Sequence, residues 1–133
     1  MEGNIMGKVK KIINIEDSTG KHWDINRALD WNGYPEADLA TNAETGIAMV
    51  EKAIADGNPY DLLITDMHFS INGVDDTKAG LYVIEELKRK GIEIPIIVCS
   101  SIRYDIPEIV GCVFYNRGRD LSWDFREILS NIH

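Results

Sequence analysis

Short apolar runs that stop abruptly on a chemically usable residue recur along this chain. Ile12 to Ile15 runs into Glu16 and Asp17, Leu62 to Thr65 into Asp66, Ile96 to Cys99 into Ser100 and Ser101, and Val113 to Tyr115 into Asn116 and Arg117. Leu62 to Thr65 is too uniformly apolar to leave one face in water, so a central place in a buried sheet is expected for it. Between the runs lie longer segments whose apolar residues repeat at helical spacing. Strand-length runs alternating with amphipathic helices specify βα units and a parallel sheet. Parallel strands point one way, so their carboxyl ends share a rim, which is where open α/β sheets bind ligands. Three carboxylates, a hydroxyl and a cation are therefore expected on one edge.

The first strand is expected over Val9 to Ile15, followed from about Thr19 by a helix carrying Trp23, Arg27, Leu29 and Trp31 and ended by Gly33-Tyr34-Pro35. Ala37 to Thr41 forms a second strand. Asn42 or Thr41 caps the next helix, in which Ile47, Val50, Ala53 and Ile54 recur until Asp56-Gly57-Asn58-Pro59. Gly80 opens a third helix with Leu81, Ile84 and Leu87 on its buried stripe, and Gly91 closes it. Pro95 starts the fourth strand, where a missing N–H is tolerated. A short helix is expected around Asp105 to Val110, a fifth strand over Val113 to Tyr115 and a last helix from about Asp120 to Ile132. Right-handed crossovers place helices on both faces, giving a three-layer α/β/α sandwich around five parallel strands.

The 133 residues suit one core, so a flexible N-terminal lead-in at residues 1–7 and a single domain over 8–133 are expected. The formal net charge of −8 argues against direct nucleic-acid binding, which needs clustered cations to replace phosphate counterions. No apolar stretch reaches membrane-spanning length and no secretion signal opens the chain, so no membrane insertion is expected. Cys99 and Cys112 read as small residues in a reducing compartment, and the expected location is cytoplasmic.

The segments KKIINIEDS, YDLLITDMH, AGLYVIEELKRKG and IPIIVCSS together resemble the receiver domains of two-component response regulators. The resemblance covers nearly the whole chain from Lys8. It implies a flavodoxin-like sheet of order 2-1-3-4-5 and a pocket at the strand ends. It also implies that Asp66 is the phosphoacceptor, that Mg²⁺ is held by Asp17, Asp66 and the backbone carbonyl of His68, and that Glu16 acts through metal-bound water. Ser100 matches the switch hydroxyl, and Ser101 the small neighbour that leaves room for the phosphoryl group.

Physical chemistry points the same way. An aspartate can act as a covalent nucleophile toward a phosphoryl group. Crowded carboxylates repel one another, and a hard divalent cation with oxygen ligands relieves that repulsion. The plainer reading is that Asp17, followed by Ser18 and Thr19, is a helix-capping residue and Ser100-Ser101 a capping turn. The three histidines, His22, His68 and His133, show no ligand spacing, and a solvent-exposed loop position is the safer reading of His68.

Three departures from the family stand out. Its fifth-strand lysine is absent from VFYNRGRD, where Arg117 or Asn116 takes the place; arginine can hold phosphate through its fork, whereas asparagine brings no charge. Residues 67–78 form a longer, turn-rich loop, read as a mobile spacer in preference to a lid. The stretch between Ser101 and Val113 is short and interrupted by Pro107.

The leading expectation is a phosphorelay switch rather than a turnover enzyme, at most weakly active in its own phosphorylation and dephosphorylation. A sensor histidine kinase or phosphotransfer protein would supply it, and a downstream protein would read it. The alternative is a phosphorylation-independent pseudoreceiver acting as a protein-binding adaptor. A flavodoxin-like cofactor binder ranks last, because two acids beside Ser18-Thr19-Gly20 would repel a cofactor phosphate.

Overall fold

Isoleucine and leucine, with one buried polar residue each (Asn14 and Thr65), make up β1 (Ile12–Ile15) and β3 (Leu62–Thr65), and every residue of both strands is buried in the computed structural model, which describes residues 9–132. The expected lead-in at residues 1–7 lies outside the described residues. These two strands pair with each other in parallel, β1 also pairs with β2 (Ala37–Ala40), and β3 with β6 (Ile96–Ser100). An outer strand, β7 (Gly111–Phe114), completes a parallel sheet of order β2-β1-β3-β6-β7. With β4 and β5 set aside as a separate hairpin, this is the expected 2-1-3-4-5 arrangement.

Alternation of side chains divides the core between the two faces. Ile13, Ile15, Leu63 and Val98 meet α2 (Ala43–Ala55) and α3 (Ala79–Arg89) through Ile47, Val50, Val83, Ile84 and Leu87. Ile12, Leu62, Ile64, Ile97 and Cys99 meet α1 (Thr19–Trp31) and α4 (Ser122–Leu129) through Ile25, Leu29, Phe125 and Leu129. Burying each such side chain contributes about 1.5–3 kcal/mol before the entropy of ordering is set against it. The three-layer sandwich is the observed architecture.

Element ends depart from expectation for local reasons. The first strand begins only at Ile12, because the Lys10 and Lys11 N–H groups donate to the Asp61 carboxylate instead of a ladder. The last helix begins at Ser122, whose N–H donates to Asp120 Oδ1, and Asn131 and Ile132 bond three residues back, so the chain tightens out of α-helix after Leu129. No helix forms at 105–110; beyond one turn closed by Ile109 N–H to Ile106 O, the segment lies as a loop with Tyr104, Ile106 and Ile109 packed on the core.

Residues 69–76 correct the spacer expectation. They form an antiparallel hairpin of β4 (Phe69–Ile71) and β5 (Val74–Asp76), turned by Asn72 and Gly73 at φ of 53° and 81°. Positive φ at both central residues is the turn that suits the twist of paired strands. Phe69 is fully buried in the core shared with α2 and α3, and Asn72 N–H donates to Glu44 Oε2 at 2.9 Å. The segment is anchored at its base, not free along its length.

Candidate functional site

Parallel register carries the chemistry to one edge. Ile15 pairs with Ala40 and Thr65, and the next residues extend the ladder: Glu16 N–H donates to Ala40 O and Asp66 N–H to Ile15 O. Glu16, Asp17 and Asp66 thereby each place a carboxylate oxygen within 4.8 Å of the others. Glu16 is buried, Asp66 half-buried and Asp17 exposed, so the cluster runs from the interior to the surface with Asp17 outermost. Asp75 and Asp76 of the hairpin stay outside it and exposed.

The floor of the pocket is set by local hydrogen bonds. Ser18 caps α1, its Oγ accepting from Lys21 N–H at 3.2 Å, while its own N–H donates to Glu16 Oε2 at 3.1 Å. Asp66 Oδ1 accepts from Met67 N–H at 2.7 Å. Gly80, at the start of α3, passes so close to Asp66 that an added Cβ would strike the Asp66 carbonyl and Met67.

The cation in the pocket is Lys21, a residue the sequence reading passed over. Its ammonium stands 3.0 Å from Glu16 Oε1 and 3.3 Å from Asp66 Oδ2, and donates to the Cys99 carbonyl at 2.7 Å. The Tyr115 ring lies over it with its centroid at 5.1 Å, and Tyr115 Oη donates to Asp24. A lysine in the first turn of a helix is ordinarily solvated, which hid it. The available signal was spacing: Lys21 falls on the same stripe as Ile25, Ala28 and Leu29, all buried.

Burial pushes the Glu16 carboxyl up to about 7, with Lys21 pulling it down and Asp66 pushing it further up. Burial works against the Lys21 charge, but the neighbouring acids Glu16 and Asp66 outweigh it and the net direction is upward. Glu16 Oε1 is buried and accepts no well-directed hydrogen bond, although the ammonium faces it. A buried acid with spare acceptor capacity, beside two further carboxylates, fits a hard divalent cation.

The other sequence candidates lie as follows. Ser100 ends β6, is 4% exposed, and its Oγ accepts from Ile102 N–H at 3.3 Å. Ser101 follows it and is exposed. Arg117 is exposed and forms no ion pair with any described residue. His68 is exposed, as expected of a loop histidine, whereas His22 sits half-buried on α1 against Asn14. Cys99 is buried and Cys112 half-buried, and both are free thiols. No described helix is long and apolar enough to cross a membrane.

No family model and no curated protein matches this sequence. Solved structures do match. The response regulator TrrA from Thermotoga maritima, in complex with Mg²⁺-BeF, shares 25% identity at a TM-score of 0.61 over 90% of this chain and 98% of that one. The signal receiver domain of the response regulator NarL from Mycobacterium tuberculosis matches at 12% identity and a TM-score of 0.60, covering 92% and 98%. The response regulator PhyR from Brucella abortus matches at 18% identity and a TM-score of 0.68, covering 98% of this chain and 51% of that one. The fold is that of response regulator receiver domains, and the resemblance carried by the sequence segments is present in three dimensions.

Proposed function

We propose that this protein is a phosphoacceptor receiver domain, phosphorylated on Asp66 with Mg²⁺ and acting through protein contacts. The observation that carries the reading is the convergence of Glu16, Asp17 and Asp66 at the strand-end rim of a receiver fold. In the reaction, an Asp66 carboxylate oxygen attacks phosphorus and forms an acyl phosphate. The bond from phosphorus to the donor's leaving group breaks, and its electron pair departs with that group.

Asp17, Asp66 and the His68 carbonyl would hold the metal, with Glu16 reached through water. When bound, Mg²⁺ supplies charge neutralisation for the entering phosphoryl oxygens. Asp66 is oriented by the Met67 N–H, and Glu16 by the Ser18 N–H. Ser100, at the end of β6, is the hydroxyl that turns toward the new phosphoryl oxygens, and exposed Ser101 leaves space beside it. Donors of this chemistry are a phosphohistidine on a sensor kinase or phosphotransfer protein, and the reader is another protein. A switch of this kind belongs in the cytoplasm.

Intact-mass spectrometry after incubation with acetyl phosphate and Mg²⁺ tests the reading. One phosphoryl adduct is expected, lost in Asp66→Asn. An unmodified wild-type protein at saturating donor would favour the adaptor reading, in which Lys21 stays between Glu16 and Asp66 and the fold serves only as a binding surface.

A further inference from the structure

We propose that Lys21, reaching from the first turn of α1, is the catalytic cation that receives the phosphoryl group on Asp66; this rests on the phosphoacceptor reading above. The position is costly by ordinary rules. Lys21 lies three residues after the cap Ser18, at the end of α1 where the helix dipole is positive and repels a cation. It is also 6% exposed, and an ammonium buried this far does not improve on a packed hydrocarbon as a source of stability. A leucine there would continue the stripe of Ile25, Ala28 and Leu29. The charge is placed for what it faces.

What it faces is the nucleophile. The ammonium has three N–H donors and three oxygen neighbours: Glu16 Oε1, Asp66 Oδ2 and the Cys99 carbonyl. Transfer to Asp66 removes the carboxylate charge and places a larger negative charge on phosphoryl oxygens two bonds further out. A lysine stem has the freedom to follow that shift, and the pocket holds no other described cation in contact with Asp66. Arg117, the residue that the fifth-strand position offers, stays in solvent.

The same ammonium ties the reacting centre to the switch strand. Cys99 directly precedes Ser100, so movement of Lys21 toward a phosphoryl group withdraws a hydrogen bond from the end of β6. Tyr115, stacked over Lys21 and bonded to Asp24, links the same event to the α1 surface.

The test compares acetyl phosphate labelling of wild type, Lys21→Met and Arg117→Ala with Mg²⁺ present, together with NMR of the Lys21 side-chain ammonium in wild type on adding beryllofluoride. Labelling of Lys21→Met is expected to slow about a hundredfold, the scale of losing one preorganised donor to developing charge. The wild-type ammonium resonance is expected to shift, and to stay unmoved in Asp66→Asn. That resonance decides the matter even if Lys21→Met fails to fold. Labelling of Lys21→Met at the wild-type rate, an unmoved ammonium signal, or loss in Arg117→Ala alone would overturn the assignment to Lys21 while leaving the receiver reading intact. A wild-type protein that takes no phosphoryl group would overturn both.

Discussion

The Lys21 ammonium donates to the Cys99 carbonyl at 2.7 Å, joining the first turn of α1 to the β6 residue before Ser100, 78 positions away in sequence. The bond puts one cation between the Asp66 carboxylate, just past β3, and the end of β6. It also sets a cation against the Glu16 and Asp66 carboxylates in a chain without the fifth-strand lysine.

Asp17 stands at the mouth of the pocket, exposed, and serves no hydrogen bond that the fold depends on among the described residues. Asp17→Asn is therefore expected to leave stability within about 0.5 kcal/mol. Mg²⁺ affinity should fall by about tenfold or more, the least effect usual for changes around a metal site. Urea unfolding and a Mg²⁺ titration separate the two; unchanged Mg²⁺ affinity would remove Asp17 from the ligand set.

Gly80 packs against the Asp66 carbonyl, with Met67 Sδ 2.9 Å and Met67 Cα 3.0 Å from where a Cβ would stand. Backbone on that side cannot yield without moving Asp66. Gly80→Ala is expected to cost about 1–3 kcal/mol through overpacking and to depress acetyl phosphate labelling with it. Wild-type stability in a urea melt would show that α3 leaves room for a Cβ beside Asp66.

Phe69 anchors the hairpin after β3. Phe69→Ala should lose about 3–5 kcal/mol, the usual cost of emptying a buried aromatic site. A loss below about 1 kcal/mol would return residues 69–76 to the role of a free loop.

That hairpin is the element least legible in the sequence. Asn72-Gly73 is the strongest short hairpin signal, yet its flanking strands are only three residues each, too few for alternation to stand out from a turn-rich insertion. The parallel sheet was legible because β1, β3 and β6 are continuous apolar runs ending on Glu16, Asp66 and Ser100. Arg117 stands out in the sequence because it follows the fifth run, whereas Lys21 is hidden by its place on a helix. Charge on a helix usually means solvent, and only the register with Ile25 and Leu29 says otherwise.

Burial pushes the Cys99 thiol up to about 12, and burial with the bond to Asp38 pushes Tyr60 to about 12. Both groups hold their protons more tightly folded than unfolded, where they titrate near roughly 8.5 and 10. Their contribution is fully present below the unfolded values and is lost as pH rises toward the folded ones, so stability should fall progressively above about pH 9. At pH 8 the Cys99 thiolate fraction is about one in ten thousand, and iodoacetamide should label Cys112 first. Rapid labelling of Cys99 in the native protein, or a melting temperature flat from neutral to strongly alkaline pH, would contradict this.

The most direct measurement is a crystal structure of the protein grown with Mg²⁺ and beryllofluoride. The fluoride group is expected on the Asp66 carboxylate, Mg²⁺ against Asp17, and the Lys21 ammonium and Ser100 hydroxyl within hydrogen-bond distance of the fluorides. An unmodified Asp66, with Lys21 still clamped between it and Glu16 at saturating reagent, would contradict this expectation.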